Sequence, residues 1–430
     1  MKTYASHAAN HLRKRGRLSS YLRSRGYTDF SPIKDTLSCE IQQNLIRDGL
    51  AVRSERKPVI SLPLYFVRAI NFELTYGCNL ACKHCLQDAL RPADMSLSWA
   101  DLNAIKRALK DGMDLGLLET GVNFTGGEIL VQGSPVLELV RFASNLGVNV
   151  RVNTNSWWAK NQNIRIGSEI FNSDTDVVKA FKEAGAKQFA LSLDDRYETY
   201  PGLLNKMITV SAICESLELE YQWVMTSATH ESKNNAIGQL TKALGRPPRF
   251  LRPVNMEEVD IGGLKERSSD PLEVKELWKL PQYSPCKTKG FYQPTHLHVS
   301  PDGGIRGCMY APGSGSLGNI RKDRMIDILN RAAENSVVKL FRNRNLEAFT
   351  EKYISPWAHL YRNIEHPCSA SAVIARIEEG ISKNRLEFGR EPGHKELEMI
   401  HKSVAKEYKM EVNLQSSGPP RRNQILDFKI

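Results

Sequence analysis

From about residue 69 the chain alternates short strand-like runs with helical patterns, and no other feature limits its fold as strongly. Ala69 to Thr75 reads as a strand leading into a cysteine-rich segment at Gly77. Ser98 opens a helix with Asp101 as its capping-box partner and an apolar face through Leu102, Ile105 and Leu109. Gly121 to Thr125 gives the second strand, Ser134-Pro135 starts the next helix, and Gly147 ends it. Val148, Val150 and Val152 alternate with polar residues in the third strand. A helix from Thr175 to Ala184 stops at Gly185, and Lys187 to Leu193 is the fourth strand. A stripe of Leu203, Met207, Val210, Cys214 and Leu217 marks a helix before the fifth strand, Leu219 to Met225. Ile237, Leu240 and Leu244 mark another before the sixth, Phe250 to Val254. Six βα units in succession predict an α/β fold with a parallel sheet, curled by right-handed crossovers into a partial, TIM-like (β/α)6 barrel.

Beyond Pro281 the pattern changes. His296 to Ser300 and Ile305 to Met309 read as a hairpin around Pro301-Asp302-Gly303-Gly304, followed by helices near Met325 to Ala333 and Ser369 to Glu379. The expected organisation is a basic N-terminal helical extension over 1–66, the barrel over 67–281, a small α+β module over 282–385 and a polar C-terminal tail over 386–430. Residues 1 to 28 hold no acid and seven Lys or Arg side chains. This suits a basic amphipathic helix that docks on the protein or a partner, and the same composition fits an organellar transit peptide. Ile41 to Arg47 reads as a further short helix. No apolar run reaches the roughly 20 residues that cross a bilayer, so no membrane partner is expected.

Cys78, Cys82 and Cys85 form a C-x3-C-x2-C run, while the other five cysteines lie far apart. Such uneven spacing suits thiolate metal ligation in a reducing compartment, the cytoplasm, better than a disulfide framework. Three ligands leave a zinc tetrahedron open, whereas a [4Fe–4S] cluster on three thiolates keeps one iron without a protein ligand. Spacing alone also admits a zinc knuckle with a distant fourth ligand, or buried free cysteines. The net charge of +11 admits an anionic partner. Aromatic residues do not interleave the basic ones, which argues against nucleic acid.

This run, with His84 before its last cysteine, resembles the signature of the radical S-adenosylmethionine (SAM) superfamily. The resemblance implies an enzyme whose open iron binds SAM and whose reduced cluster releases a 5′-deoxyadenosyl radical that takes a hydrogen from a substrate. It also implies an external one-electron reductant of flavodoxin or ferredoxin type. Gly126, Gly127 and Glu128 follow the second strand and resemble the family's Gly-Gly-Glu motif, which contacts the methionine amine; Ile129 stands where proline is usual. Asn153 after the third strand, and Ser192 and Asp194 after the fourth, resemble positions that hold the ribose and carboxylate of SAM. All these loops fall at the carboxyl ends of strands, where parallel βα folds gather their ligands.

Cys286, Gly303 and Cys308 through Leu317-Gly318-Asn319-Ile320 resemble the start of the auxiliary-cluster modules called SPASM and twitch. With Cys368, this set supplies three ligands for one auxiliary [4Fe–4S] cluster, the fourth being His366, another side chain or the substrate; structural cysteines, or a zinc site completed by His366, stay open. The expected substrate is a peptide or small natural-product precursor. Radical modification of a nucleotide or RNA, and a non-catalytic zinc-stabilised binding protein, are the rival readings. No catalytic side chain is assigned. Cys214, on an apolar stripe, reads as core rather than as a hydrogen-atom donor, and His296 and His298 read as a packed or solvent-facing pair. Glu257, Glu258 and Asp260 lie beyond the sixth strand, where substrate residues often sit.

Overall fold

The computed structural model describes residues 69–80, 99–114, 117–118, 121–192, 200, 202–225, 230–252, 255–256, 296–306, 317–342, 346–361 and 367–416. Five strands alternate with helices in the expected order. They are β1 (Ala69–Glu73), β2 (Gly121–Thr125), β3 (Val150–Thr154), β6 (Ala186–Ser192) and β7 (Glu220–Met225), and each pairs parallel to the one before it. Between β3 and β6, β4 (Ile164–Ile166) and β5 (Glu169–Phe171) make a separate antiparallel hairpin turned by Gly167, which the strand pattern had not marked. The helices are α1 (Leu102–Asp114), α2 (Val136–Asn145), α3 (Asp174–Glu183), α4 (Leu203–Ser216) and α5 (His230–Leu244).

Two expectations shift. The first helix starts at Leu102, with the Asp101 carboxylate accepting the Ala104 N–H at 3.0 Å as its own cap. Of the sixth strand the described residues show Leu251 bridging Tyr221, and β8 (Asn255–Met256), later than expected, pairing parallel with the end of β7. Pro247, Pro248 and Pro253 lack the N–H donors that a longer ladder would need.

The hairpin after residue 281 joins the same sheet. β9 (His296–Val299) lies parallel to β1, and β10 (Gly304–Arg306) and β11 (Gly318–Asn319) extend it antiparallel. The order is β11-β10-β9-β1-β2-β3-β6-β7-β8, an open sheet, mostly parallel. Nothing local in the sequence signals that β9 returns to the free edge of β1.

The sheet has two unlike faces. Ile70, Phe72, Val122, Phe124, Val150, Val152, Phe189, Leu191, Tyr221 and Trp223 are buried on one of them. They form a continuous core with Ile105 and Leu109 of α1, Val140 of α2, Phe181 of α3 and Met207, Val210 and Cys214 of α4. Because side chains alternate along a strand, Asn71, Glu73, Asn123, Thr125, Arg151, Asn153 and Gln188 leave from the other face.

From Met325 on, the described residues are helical: α6 (Met325–Glu334), α7 (Ser336–Arg342), α8 (Leu346–Phe349) running into irregular turns to Tyr361, α9 (Pro367–Phe388) and α10 (His394–Ser416). The buried Asp111 carboxylate of α1 accepts Arg324 Nε at 2.8 Å and the Met325 N–H at 3.2 Å, tying the start of α6 to the sheet's helices. Residues 394–416, expected as part of a polar tail, are a helix whose His401, Val404 and Ala405 turn inward at helical spacing. Overall polarity masks that stripe in the sequence. No described helix is long and apolar enough to cross a membrane.

Candidate SAM and cluster site

The loop after β1 and the turn after β2 are built as one unit. The Gly127 N–H donates to Thr75 O at 2.8 Å and the Glu128 N–H to Gly77 O at 2.9 Å. A Cβ on Gly127 would overlap the Gly77 carbonyl, and one on Gly126, where φ is +151°, would press on Thr75 O. The paired glycines therefore let two backbones touch immediately before Cys78.

Glu128 lies beneath this contact, 2% exposed. Its carboxylate accepts the Leu130 N–H at 2.8 Å, the Thr154 O–H at 2.9 Å and the Asn155 N–H at 2.7 Å. Burial raises its pKa, and these donors oppose the rise. The side chain thus straps the second loop to the third. A contact with a ligand's ammonium, as the family resemblance implies, would have to replace or share one of those bonds. Ile129 fills the usual proline position with a fully buried side chain.

Asn155 carries the strap onward. Its Nδ2 donates to Asn79 Oδ1 at 3.0 Å and makes a longer contact, 3.9 Å, with Cys78 Sγ. The Leu80 N–H donates to the same sulfur at 3.4 Å. A thiolate ligand would be met by these two donors, which favour the charged form. Nothing in the sequence distinguished Asn155 from Asn153, and only the turn after β3 shows which asparagine reaches the cysteine loop. Asn153 Nδ2 donates to Thr125 Oγ1 at 3.3 Å, while its Oδ1 is buried without a hydrogen bond among the described residues. Ser192 ends β6, half-buried, one strand over.

The structure thus brings Cys78, Gly126, Gly127, Glu128 and Asn153 to one end of three adjacent strands, with Ser192 at the same end of the fourth. Cys82, Cys85, Asp194, Cys286 and Cys308 lie outside the described residues, as do Glu257, Glu258 and Asp260. Cys368 falls in the first turn of α9, but its side chain is outside the description. Cys214 is fully buried in the core, where burial pushes its thiol pKa well up, as the apolar stripe implied. His298 is buried beside Asn71, its Nδ1 3.3 Å from Asn71 Nδ2. Among the described residues no three His, Cys, Asp or Glu side chains converge as a metal site.

The donor set suits the implied groups. One cysteine sulfur faces two N–H donors, the glycine pair leaves no side chain in the way, and the buried Asn153 amide oxygen has no partner among the described residues at a position expected to meet SAM.

Comparison with known proteins bears on the same stretch. The profile of the radical SAM superfamily matches residues 72–222. An AdoMet-dependent heme synthase of Oleidesulfovibrio alaskensis is 24% identical over 173 residues, 38% of this chain and 39% of that protein. The chain thus spans about two fifths of the length of that curated relative. Among solved structures, BtrN in complex with AdoMet and 2-DOIA aligns with a TM-score of 0.37 at 13% identity, over 66% of this chain and 89% of that one. Polyhistidine-tagged anSMEcpe with bound AdoMet gives 0.40 at 13% identity, over 84% and 98%. Over residues 72–222, about a third of its length, the chain is thus similar to the radical SAM superfamily.

Proposed function

We propose that this protein is a radical SAM enzyme acting on a peptide or small natural-product substrate. The observation that carries the reading is the contact between the two loops. The glycine pair after β2 fits against the backbone leading into Cys78 only because it carries no side chains, and Glu128 and Asn155 hold both segments against the third loop. Such bracing fixes a cluster ligand at the strand ends, within the stretch that the radical SAM profile matches.

In this reading Cys78, Cys82 and Cys85 hold the [4Fe–4S] cluster. When bound, the cluster and SAM together supply a 5′-deoxyadenosyl radical to the substrate. The glycine turn, Asn153, Ser192 and Asp194 orient SAM, with Glu128 bracing their loops. Cys286, Cys308 and Cys368 hold one auxiliary cluster, as electron acceptor or substrate anchor. Arg306, two residues before Cys308 in sequence, donates to the Tyr76 hydroxyl at 3.4 Å, and Tyr76 stands two before Cys78. This link supports a second cysteine set close to the first. A flavodoxin- or ferredoxin-type protein of the cytoplasm supplies electrons.

Anaerobic purification with iron and sulfide counts tests the reading. Wild type should hold about eight irons, and the Cys78→Ala/Cys82→Ala/Cys85→Ala protein about four, for clusters of the [4Fe–4S] type. Dithionite should drive 5′-deoxyadenosine formation by wild type alone. Zinc without acid-labile sulfide would replace this reading with that of a zinc-stabilised binding protein.

A further inference from the structure

The polar face of the sheet carries a guanidinium that no carboxylate meets among the described residues, although Glu73 of β1 lies on the same face. Asn71, Asn123, Arg151 and Gln188 stand in one row across β1, β2, β3 and β6, with His298 of β9 beside Asn71. Strands in a parallel sheet are usually apolar on both faces, because helices cover both. Here every second residue of the row's strands is apolar and sealed by helices, while the alternate ones are polar in the row itself, with small residues such as Ala190 beside it.

Arg151 is mostly buried, and it makes neither an ion pair nor a hydrogen bond among the described residues. Burial lowers its pKa to about 10, with no carboxylate to offset the effect. Its Nε and the neighbouring Oδ1 atoms of Asn123 and Asn153 are all buried and have no hydrogen-bond partner among the described residues. A desolvated guanidinium costs several kcal/mol unless something neutralises it, and unpaired buried acceptors add to that. Three such atoms on one sheet face describe a site shaped for a polar ligand rather than a core.

We infer that this face is the substrate pocket, that Arg151 binds a carboxylate of a small organic-acid substrate, and that Asn123 and Gln188 flank that group. The inference rests on the proposed SAM chemistry for the word substrate, since Arg151 lies two residues, about 7 Å, along β3 from Asn153. A guanidinium fork matches a carboxylate in two parallel bonds. One guanidinium fork meets one carboxylate group in full, whereas a phosphate dianion concentrates both its charges on one centre that Arg151 alone would have to balance. The same chemistry could come from the methionine carboxylate of SAM, and the test separates the two sources.

Calorimetric titration of the full-length, cluster-loaded protein with succinate, inorganic phosphate and SAM reads binding rather than turnover. Repeating the succinate titration after the cluster is chelated out keeps this result separate from the SAM chemistry, because Arg151 sits on a strand and not on a cysteine loop. Succinate should bind wild type in both states and more tightly than phosphate. Arg151→Met should weaken succinate at least about tenfold and Arg151→Lys by less, while SAM binding changes little. Equal succinate binding by wild type and Arg151→Met would overturn the inference, as would tighter binding of phosphate than of succinate. It also fails if SAM affinity is what Arg151→Met destroys, or if that variant loses the fold.

Discussion

Glu215 and Arg151 are both desolvated charges carried on the same βα framework, one on the helix-covered side and one on the opposite face. Glu215, at the end of α4, has a side chain with no exposure. Its carboxylate accepts Arg246 Nη1 at 2.9 Å, the Tyr221 O–H at 3.1 Å, and the N–H groups of Arg249 and Phe250 at 2.8 Å each. Burial alone would raise its pKa, but those donors together hold it below the usual carboxylate value. The arrangement pins residues 249–251 beside β7, so this charge builds the edge of the sheet. Arg151 has no comparable partner among the described residues, although its strand is as well packed on the reverse side. A buried charge that is fully met belongs to the fold, and one left unmet points to something that arrives from outside.

Removing Glu215 should therefore cost the most. Glu215→Ala strands Arg246 and two backbone donors, so denaturant unfolding should show a loss of about 3–5 kcal/mol. The stabilisation from its lowered pKa is present above the ordinary value of 4.5 and disappears as pH falls through the folded value. Glu215→Gln should lose that dependence.

His401 of α10 extends the comparison to a neutral buried group. Its ring stacks on Trp357 at 5.3 Å, its Nδ1 lies 2.7 Å from the Tyr361 hydroxyl and its Nε2 lies 2.8 Å from Tyr353 O. The neutral tautomer with hydrogen on Nε2 satisfies both contacts, Nε2–H donating to the carbonyl and Nδ1 accepting from the hydroxyl. Burial depresses its pKa to about 4 from an ordinary 6.5. The unfolded chain takes up the proton first, so stability should be complete above about pH 6.5 and fall toward pH 4. The loss is at most about 3 kcal/mol. Trp357 fluorescence followed through denaturant at several pH values reads it directly, and a flat profile between pH 4 and 6.5 would break the assignment.

How far all this was legible depends on range. The five parallel strands and their helices could be read because period-2 and period-3.6 patterns are local, and because Gly147 and Gly185 stop helices where the chain turns. Pairing of β9 with β1 joins residues more than two hundred apart, and no local pattern encodes it. The cysteine loop and the Gly-Gly-Glu turn were legible as motifs, yet not what they touch. Sequence supplies the acceptor, Glu128, without saying that Thr154 and Asn155 already occupy it. Arg151 left a trace that could have been followed: a cation between Val150 and Val152, in a strand whose neighbours are all apolar on one face, has to meet water, a carboxylate or a ligand.

The smallest expected effect is the most telling. Replacing a buried, partnered charge destabilises, whereas replacing an unpartnered one with an apolar side chain of similar length removes a desolvation cost and strands nothing. Arg151→Met should consequently leave unfolding free energy within about 1 kcal/mol of wild type, or raise it. Its methylenes would be kept and its guanidinium lost, so packing along β3 changes little. A loss of several kcal/mol, like that expected at Glu215, would mean that Arg151 already has a structural partner. The two charges would then be alike, and the unmet polar face would no longer mark a binding site.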